Sequence, residues 1–396
     1  MSGNASAIFG GGGGASVGSI VVGQFANNAA YLPLDGADYT SASYPSLDKT
    51  NLKTFGNNTF TSRSLPASGV WTGVCYGNSQ FVAVGTNVCA TSSDGITWTS
   101  RTIPTGAWYS IVYAGGQYVA GSSAGAIATS PDGITWTSRG TITSGGVYSI
   151  AYGNGVYVIG NGSTEINGSG QVYTSADAIT WIARTVMAGT PLAVSGTTFY
   201  LGKFYANSYS VNTGVAFGQV FTSFEGVTWF TPGYVAGSPN ASAGYYYFGA
   251  NYIAPPALFK GKLVQPSTST NTWYQDTEVG IFTALQLPAH ANTMTMLPNI
   301  GAVAISAQTS SNPYIHLSFD LKRWIHLPTS VTGRWMASYG GIAASPTRIV
   351  LMNQATGGAV NTCQSIDIDT TKFRMPASYT VGIDNAEADR YYMKVA

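Results

Sequence analysis

A seven-residue motif, Ser-x-Asp-Gly-x-Thr-Trp, recurs along the chain and constrains its fold more than any other feature. Its clearest copies are Ser92–Trp98 and Ser130–Trp136. Aligned on the final aromatic residue, full and partial copies stand at Phe60, Trp98, Trp136, Trp181, Trp229, Phe282 and Trp324. A period of roughly 40 residues predicts an array of similar supersecondary units that stack on one another, rather than independent domains.

The motif has the chemistry of a tight turn. An acid stands four residues before the aromatic residue in six copies: Asp94, Asp132, Asp177, Glu225, Glu278 and Asp320. A Ser or Asp side chain can accept backbone N–H bonds within a turn, and the following glycine can adopt a positive φ. We therefore interpret the acids as structural turn residues, with Asp94, Asp132, Asp177, Glu225 and Asp320 as the main members.

Each unit contains four short strand-like runs that are separated by turn residues, which is typical of a β-propeller blade. The first six blades are predicted at residues 71–104, 108–142, 147–186, 191–232, 242–288 and 292–328. Residues 335–368 supply three strands of a seventh blade, and residues 57–66 supply an unpaired fourth strand. We predict an all-β, seven-bladed propeller over residues 57–368, closed by this N-terminal strand.

The repeated motif resembles the Asp-box of sialidase-like propellers, although it is one residue shorter between the acid and the glycine. The resemblance covers roughly residues 57–368. Asp-boxes occur in many proteins that are not enzymes, so the resemblance implies the fold and no activity.

The segments outside the propeller resemble the two halves of a phage tail-collar domain. The matching residues are Leu32, Asp35, Gly36, Tyr44, Pro45 and Leu47, followed by Phe373, Arg374, Met375 and Pro376. Met375 replaces the usual leucine, and more than 300 residues separate the halves, where the family has a short gap. The resemblance implies a propeller inserted into one small anchoring domain, since a closed ring brings its two ends together. The predicted parts are a Gly-rich arm (1–18), a split collar-like domain (19–56 with 369–396) and the propeller (57–368).

Composition excludes several classes of function. Charged residues make up 8% of the chain and the formal net charge is +1, which argues against an extended nucleic-acid footprint or a polybasic membrane patch. The N-terminus has no secretory signal pattern, and no run of residues is apolar enough for a membrane helix. Cys75, Cys89 and Cys363 are expected to be free, mostly buried thiols.

The sequence offers no catalytic constellation. Arg63, Arg101, Arg139 and Arg184 each follow the repeat aromatic by three residues and belong to the repeat, so few remain for a sialidase-type arginine clamp. Glu165 is an isolated acid, and the three histidines lack metal-ligand spacing. We expect no enzyme activity, no cofactor and no metal.

Extra residues in the third to fifth blades favour a binding role, because insertions in repeats commonly map to loops on one face. These stretches are rich in Tyr, Ser, Asn and Gly, which suit the recognition of sugars. Tyr76, Tyr113, Tyr152 and Tyr247 align between blades and are interpreted as packing residues. Five tyrosines off this register are the candidate ligand-binding residues: Tyr205, Tyr209, Tyr234, Tyr246 and Tyr274.

These inferences predict a bacteriophage tail-associated virion protein, a fibre or tail-tip component that is made in the host cytoplasm. Its expected partners are other tail proteins, further copies of itself and a host-surface glycan or protein. Two alternatives stay open: a purely structural capsid or tail decoration protein, and a glycan hydrolase of sialidase-like fold.

Overall fold

The structure is a computed structural model. It describes residues 6–7, 20–23, 31–33, 38–43, 53–55, 59–162, 169–200, 202–210, 217–230, 246–247, 257–259, 262–265, 271–276, 282–286, 291–307, 314–318, 325–329, 341–352, 360–374 and 390–394. The chain divides into two compact units. One comprises residues 1–57 with 367–396, and the other comprises residues 58–366. The sequence placed these divisions after residues 56 and 368.

The N-terminal segment contributes short strands, and a nine-residue strand then opens the larger unit. The short strands are β1 (Ser6–Ala7), β2 (Ile20–Gly23), β3 (Tyr31–Pro33), β4 (Asp38–Thr40) and β5 (Lys53–Phe55), with a 3-10 turn at Ser41–Ser43 after β4. The nine-residue strand is β6 (Thr61–Gly69).

The repeats that follow form antiparallel sheets whose strands are adjacent in chain order. The first sheet is β7 (Trp71–Gly77), β8 (Gln80–Gly85), β9 (Cys89–Ser92) and β10 (Thr99–Arg101). The second is β11 (Trp108–Ala114), β12 (Gln117–Ser122), β13 (Ala126–Ser130) and β14 (Thr137–Thr141). Each motif lies between the third and fourth strands of its sheet, where a tight turn is required.

The third and fourth sheets share one long strand. They contain β15 (Ile150–Gly153), β16 (Val156–Gly160), β17 (Ser169–Ser175), β18 (Ile182–Tyr200), β19 (Lys203–Ser210), β20 (Phe217–Ser223) and β21 (Tyr246–Tyr247). The first half of β18 pairs with β17 and its second half pairs with β19. This strand is therefore the fourth strand of one repeat and the first strand of the next.

The remaining repeats continue the pattern. The fifth sheet is β22 (Ala257–Phe259), β23 (Lys262–Gln265), β24 (Asn271–Asp276) and β25 (Phe282–Gln286). The sixth is β26 (Ala291–Leu297), β27 (Ala302–Ala307), β28 (Tyr314–Ser318) and β29 (Ile325–Pro328), with a 3-10 turn at Pro298–Ile300. The last sheet contains β30 (Ile342–Ala344), β31 (Arg348–Met352) and the start of β32 (Val360–Arg374); β33 (Arg390–Lys394) ends the described chain. The prediction of an all-β chain built from propeller-type sheets is confirmed.

Strand β6 pairs with the last sheet, far away in sequence. Thr61–Ser64 lie opposite Thr362–Ser365 in antiparallel register, with Arg63 opposite Cys363. In the first sheet Arg101 lies opposite Cys89. The N-terminal strand thus takes the position in the last sheet that β10 takes in the first.

Neighbouring sheets pack through a repeated apolar core in which the motif tryptophan contacts the preceding sheet. Trp136 packs against the cluster that contains Cys89 of the first sheet, and Trp181 packs against the cluster that contains Ile127 of the second sheet. Trp98 packs with Cys363 and Val350 in a cluster that joins the first and last sheets. The same wedge therefore occurs at all three of these contacts.

The predicted alignment of Tyr247 with Tyr76, Tyr113 and Tyr152 is wrong. Tyr247 lies on β21 and pairs with Phe217 of the fourth sheet. The prediction placed Tyr247 in the first strand of the fifth blade, but the first strand of the fifth sheet is β22 (Ala257–Phe259). In the fourth sheet the aromatic residue of the first strand is Phe199, which packs on Phe204 as Tyr113 packs on Tyr118. Residues 245–248 are four consecutive aromatic residues, so an aromatic residue falls at the expected position in any strand register, and only the pairing shows where Tyr247 lies.

In the smaller unit, N-terminal and C-terminal segments pair with each other. Strands β2 and β3 flank β33, with Leu32 opposite Met393. Strand β4 pairs with the end of β32, where Tyr39 lies opposite Phe373.

The part of the chain that the structure describes, in both units, contains no helix that is long and apolar enough to cross a membrane.

Candidate functional site

The antiparallel order of the sheets divides their connections between two ends. In a four-stranded meander, the turns between strands one and two and between strands three and four lie at the same end. We call this the turn end; it carries the acidic motifs. The connections between strands two and three, and between successive sheets, lie at the other end, which we call the insertion end.

At the turn end, Asp132 organises its turn through hydrogen bonds to the backbone. Its Oδ1 accepts N–H bonds from Ile134 (2.9 Å) and Thr135 (2.8 Å) and an O–H bond from Ser130 (3.0 Å). The hydroxyl oxygen of Ser130 in turn accepts the N–H of Gly133 at 2.8 Å. The N–H bonds from Thr135 and Ile134 hold the pKa of Asp132 below its usual value.

The other described motifs vary this arrangement. Asp177 accepts N–H bonds from Thr180 and Ile179, both at 2.8 Å, which lower its pKa in the same way. At Asp94 burial opposes ionisation, yet the N–H bonds from Thr97 and Ile96 keep the pKa below its usual value. In the fourth motif Ser223 accepts the N–H of Gly226 at 2.8 Å, and Glu225 is exposed. Asp320 and Glu278 lie outside the described residues.

Each turn also contacts the preceding sheet. Gln80, the first residue of β8, donates to the carbonyl of Asp132 at 2.6 Å, and Gln117, the first residue of β12, donates to that of Asp177 at 3.0 Å. Arg348 is the first residue of β31, and its charge contributes to the lowered pKa of Asp94. Asp94, Asp132 and Asp177 are therefore held in the turns by backbone N–H bonds that stabilise their ionised form, which makes them weak bases at neutral pH.

The side chains of the repeat arginines likewise form hydrogen bonds within their own sheets. In the first three sheets the Nε of the fourth-strand arginine donates to a threonine on the third strand: Arg101 to Thr91 (3.0 Å), Arg139 to Thr129 (2.9 Å) and Arg184 to Thr174 (3.2 Å). Arg63 donates to Ser365 in the same geometry, at 2.9 Å. These contacts hold the outer strand on its sheet.

The insertion end collects the longest connections. The connection between strands two and three comprises Thr86–Val88 in the first sheet, residues 161–168 in the third and residues 211–216 in the fourth. The link from the fourth sheet to β22 is longer still and contains β21. Residues 142–149, 161–168, 329–341 and 353–359 all leave the sheets at this end, and each is longer than the six-residue motif turns of the turn end, such as residues 93–98.

The candidate tyrosines fall in different places. Tyr205 is 7% exposed and lies in the core of the fourth sheet, where it is a packing residue rather than a surface ring. Tyr209 and Tyr246 lie on β19 and β21 at the insertion end, and Tyr274 lies in the middle of β24. Tyr234 lies outside the described residues.

The backbone register brings two of these candidates into one row. Tyr209 lies opposite Gly218 on β20, and Gly218 lies opposite Tyr246 on β21. On the other side Tyr209 lies opposite Ala193 on β18. The row therefore alternates small and aromatic positions across four neighbouring strands: Ala193, Tyr209, Gly218, Tyr246. Sequence spacing could not show this, because β21 returns to β20 from within an insertion.

The described residues hold no cluster of three or more His, Cys, Asp or Glu side chains placed to bind a metal. The register does set His316 opposite His326 on adjacent strands, a pairing that their spacing in sequence does not reveal. All three cysteines are free, and burial raises the pKa values of Cys89 and Cys363 to about 12. Such thiols are poor nucleophiles at neutral pH.

Comparison with known proteins gives the fold and no family. No protein-family model matches the chain, and no curated protein matches its sequence. Among solved structures, the chain is similar to the WD40 domain of Neurospora crassa Pan2, with a TM-score of 0.55, 8% identity, and coverage of 78% of this chain and 91% of that one. It is also similar to YCF48 from Cyanidioschyzon merolae, with a TM-score of 0.54, 14% identity, and coverage of 78% and 98%. A structure of YCF48 bound to a D1 peptide gives a TM-score of 0.51 at 14% identity, with coverage of 78% and 97%. These similarities show a β-propeller fold alone.

Proposed function

We propose that this chain is a phage tail-associated virion protein whose propeller recognises the host surface through its insertion end. The observation that carries the proposal is the placement at the insertion end of connections longer than the six-residue motif turns, among them residues 142–149, 161–168, 329–341 and 353–359. Loops that a rigid scaffold holds together at one end are a common basis of recognition. The opposite end is occupied by the repeated turns and their contacts.

The propeller in this proposal has seven blades and is closed by β6. Three strands of the last sheet and β6 make up the seventh blade, held by the register of Arg63 with Cys363. The contact between the last and first sheets supports closure, since Trp98 occupies there the place that Trp136 occupies between the first and second sheets. A closed ring leaves no open sheet edge, which favours a stable, monodisperse platform.

The anchoring role is assigned to the smaller unit. Its N-terminal and C-terminal strands pair with each other, as expected if a propeller interrupts one collar-like domain. Three of the residues that carry the tail-collar resemblance, Leu32, Phe373 and Arg374, lie within these paired strands. The unit would attach the chain to other tail proteins, and further copies could assemble around the same attachment point.

The experiment is competition for adsorption. The purified full chain is added to host cells before the phage that encodes it, and free virions are counted. A receptor-binding chain should reduce adsorption in a dose-dependent manner. If saturating chain binds no cells and leaves adsorption unchanged, the recognition role is wrong.

A purely structural role in the particle is the second candidate, and one observation favours it. The side chains of Phe224, Phe230 and Ile182, which belong to the third and fourth sheets and their turns, are 59%, 55% and 50% exposed. Large apolar side chains exposed on a surface are candidates for protein–protein contacts. Burial of these residues against neighbouring virion proteins, together with burial of the insertion end, would support this alternative.

A further inference from the structure

We infer that the ligand at the insertion end is a neutral saccharide, bound across the row Tyr209–Gly218–Tyr246. The inference rests on the proposed recognition function and specifies its ligand class. It depends on three observations: the register of three strands, the residue types in that row, and the absence of Lys and Arg from residues 204–259.

The register supplies the geometry. Directly opposed residues of antiparallel strands have their Cβ atoms on the same side of the sheet. Because adjacent strands lie about 4.8 Å apart, the two tyrosine positions are separated by about 10 Å with only a glycine between them. This is close to the length of a disaccharide. Sugar rings present C–H faces that stack on aromatic rings, and a position without a side chain leaves room for the ring edge.

The charge pattern supplies the specificity. Between residues 204 and 259 the only charged residue is Glu225, which belongs to a motif at the turn end. The same stretch contains seven tyrosines, at 205, 209, 234, 245, 246, 247 and 252. Recognition of a sialic acid, a uronic acid or a phosphate-bearing polymer normally requires Arg or Lys donors. This stretch has neither, so its amide, hydroxyl and phenol groups suit an uncharged, hydroxyl-rich ligand.

A neighbouring strand position adds a polar group to the same face of the sheet. Asn207 is two residues before Tyr209 on β19, so it lies on the same face as Tyr209, opposite Val220. Side-chain amides both donate and accept hydrogen bonds, as the hydroxyl groups of a sugar require. Aromatic and amide positions therefore share one face of the sheet near the insertion end.

The experiment uses the full-length chain on a glycan array. The array carries neutral oligosaccharides of glucose, galactose, mannose and N-acetylglucosamine, with sialyllactose and oligogalacturonate as acidic probes. Wild-type protein should bind a neutral probe. Tyr209→Ala and Tyr246→Ala should each weaken that binding at least tenfold, because stacked aromatic residues at a binding site often dominate affinity. Gly218→Val should weaken it as well, since valine is well tolerated in strands and fills the gap. Phe224→Ala, which removes an exposed aromatic ring at the turn end, is the matched control and should bind as the wild type does.

Binding to acidic probes alone, binding to no probe, or neutral binding that survives all three substitutions would each overturn the inference. Competition for adsorption separates this failure from that of the proposed function. A chain that still blocks adsorption while failing on the array recognises the host through a different chemistry. A chain that binds neutral sugars without blocking adsorption keeps the saccharide site and loses the receptor role.

Discussion

Closure of the ring can be tested by a glycine-to-alanine substitution, which adds one methyl group at the contact between the first and last sheets. Gly95 has φ +69°, and a Cβ added there would lie 2.6 Å from Val350 Cγ2 of the last sheet. At the contact between the first and second sheets, Gly133 has φ +73°, and its added Cβ would lie 2.8 Å from Val82 Cγ2. If the first and last sheets stack as neighbours do, the two substitutions to alanine should have similar costs.

The magnitude follows from two contributions. A positive φ costs an alanine about 1–2 kcal/mol relative to glycine. Overpacking against the neighbouring valine adds about 1–3 kcal/mol, because the valine must move. Gly116 is the matched control: its φ is +79°, and no atom lies within 4 Å of an added Cβ. Gly116→Ala should therefore show the backbone cost alone.

The assay is urea unfolding followed by tryptophan fluorescence, with the free energies compared at equal m-values. We expect Gly95→Ala and Gly133→Ala to be destabilised by about 1–3 kcal/mol more than Gly116→Ala. If Gly95→Ala matches Gly116→Ala while Gly133→Ala is clearly less stable, the first and last sheets do not stack, and a closed ring is wrong.

Four further outcomes are expected. Asp132→Ala should destabilise the protein by about 1 kcal/mol in urea unfolding, because turn N–H groups lose their acceptor; equal stability would show that the turn does not need the acid. The pKa of Asp132 is lower in the folded state than in the unfolded state. The stabilisation that the ionised carboxylate provides is therefore fully present above the unfolded-state pKa, roughly pH 4, and is lost as the pH falls through the folded-state pKa. The free energies of unfolding of the wild-type and Asp132→Ala proteins should therefore converge in acid. Deletion of residues 1–66 removes most of β6, including Thr61–Ser64, which pair with the last sheet. The deletion should lower the melting temperature of the whole propeller or cause association through the exposed edge; a truncated monomer that melts like the full chain would refute this. Virions with the triple substitution Tyr209→Ala, Tyr234→Ala and Tyr246→Ala should assemble normally yet adsorb poorly at both low and high salt, since few ion pairs are available to screen; normal adsorption would favour the structural role.

The repeat predicted the four-strand units because its residues determine local structure. The Ser-x-Asp-Gly turn, the glycine with positive φ and the tryptophan at the next sheet are each determined by a few adjacent residues. The four-strand units and the position of the motif between strands three and four therefore follow from sequence. Residues 57–66 were expected to provide a fourth strand, and Thr61–Gly69 form the strand that pairs with the last sheet.

Long-range pairing could not be predicted in the same way. Tyr247 lies in a run of four consecutive aromatic residues, 245–248, which matches the repeated tyrosine position in any register, but the structure pairs Tyr247 with Phe217 at the edge of β20. Tyr205 does not align with the tyrosines that repeat between blades, yet it is buried in the fourth sheet as a packing residue. The row that joins Tyr209 to Tyr246 depends on two pairings across an insertion, and no spacing in the sequence contains that information. The fold was therefore more predictable than the candidate site.

The most direct test of the account is a reconstruction of the intact virion in which this chain is placed. The account predicts a position on the tail, with the smaller unit in contact with tail proteins and the insertion end, including β21, facing solvent. A position inside the particle or on the capsid, or an insertion end covered by neighbouring subunits, would contradict it.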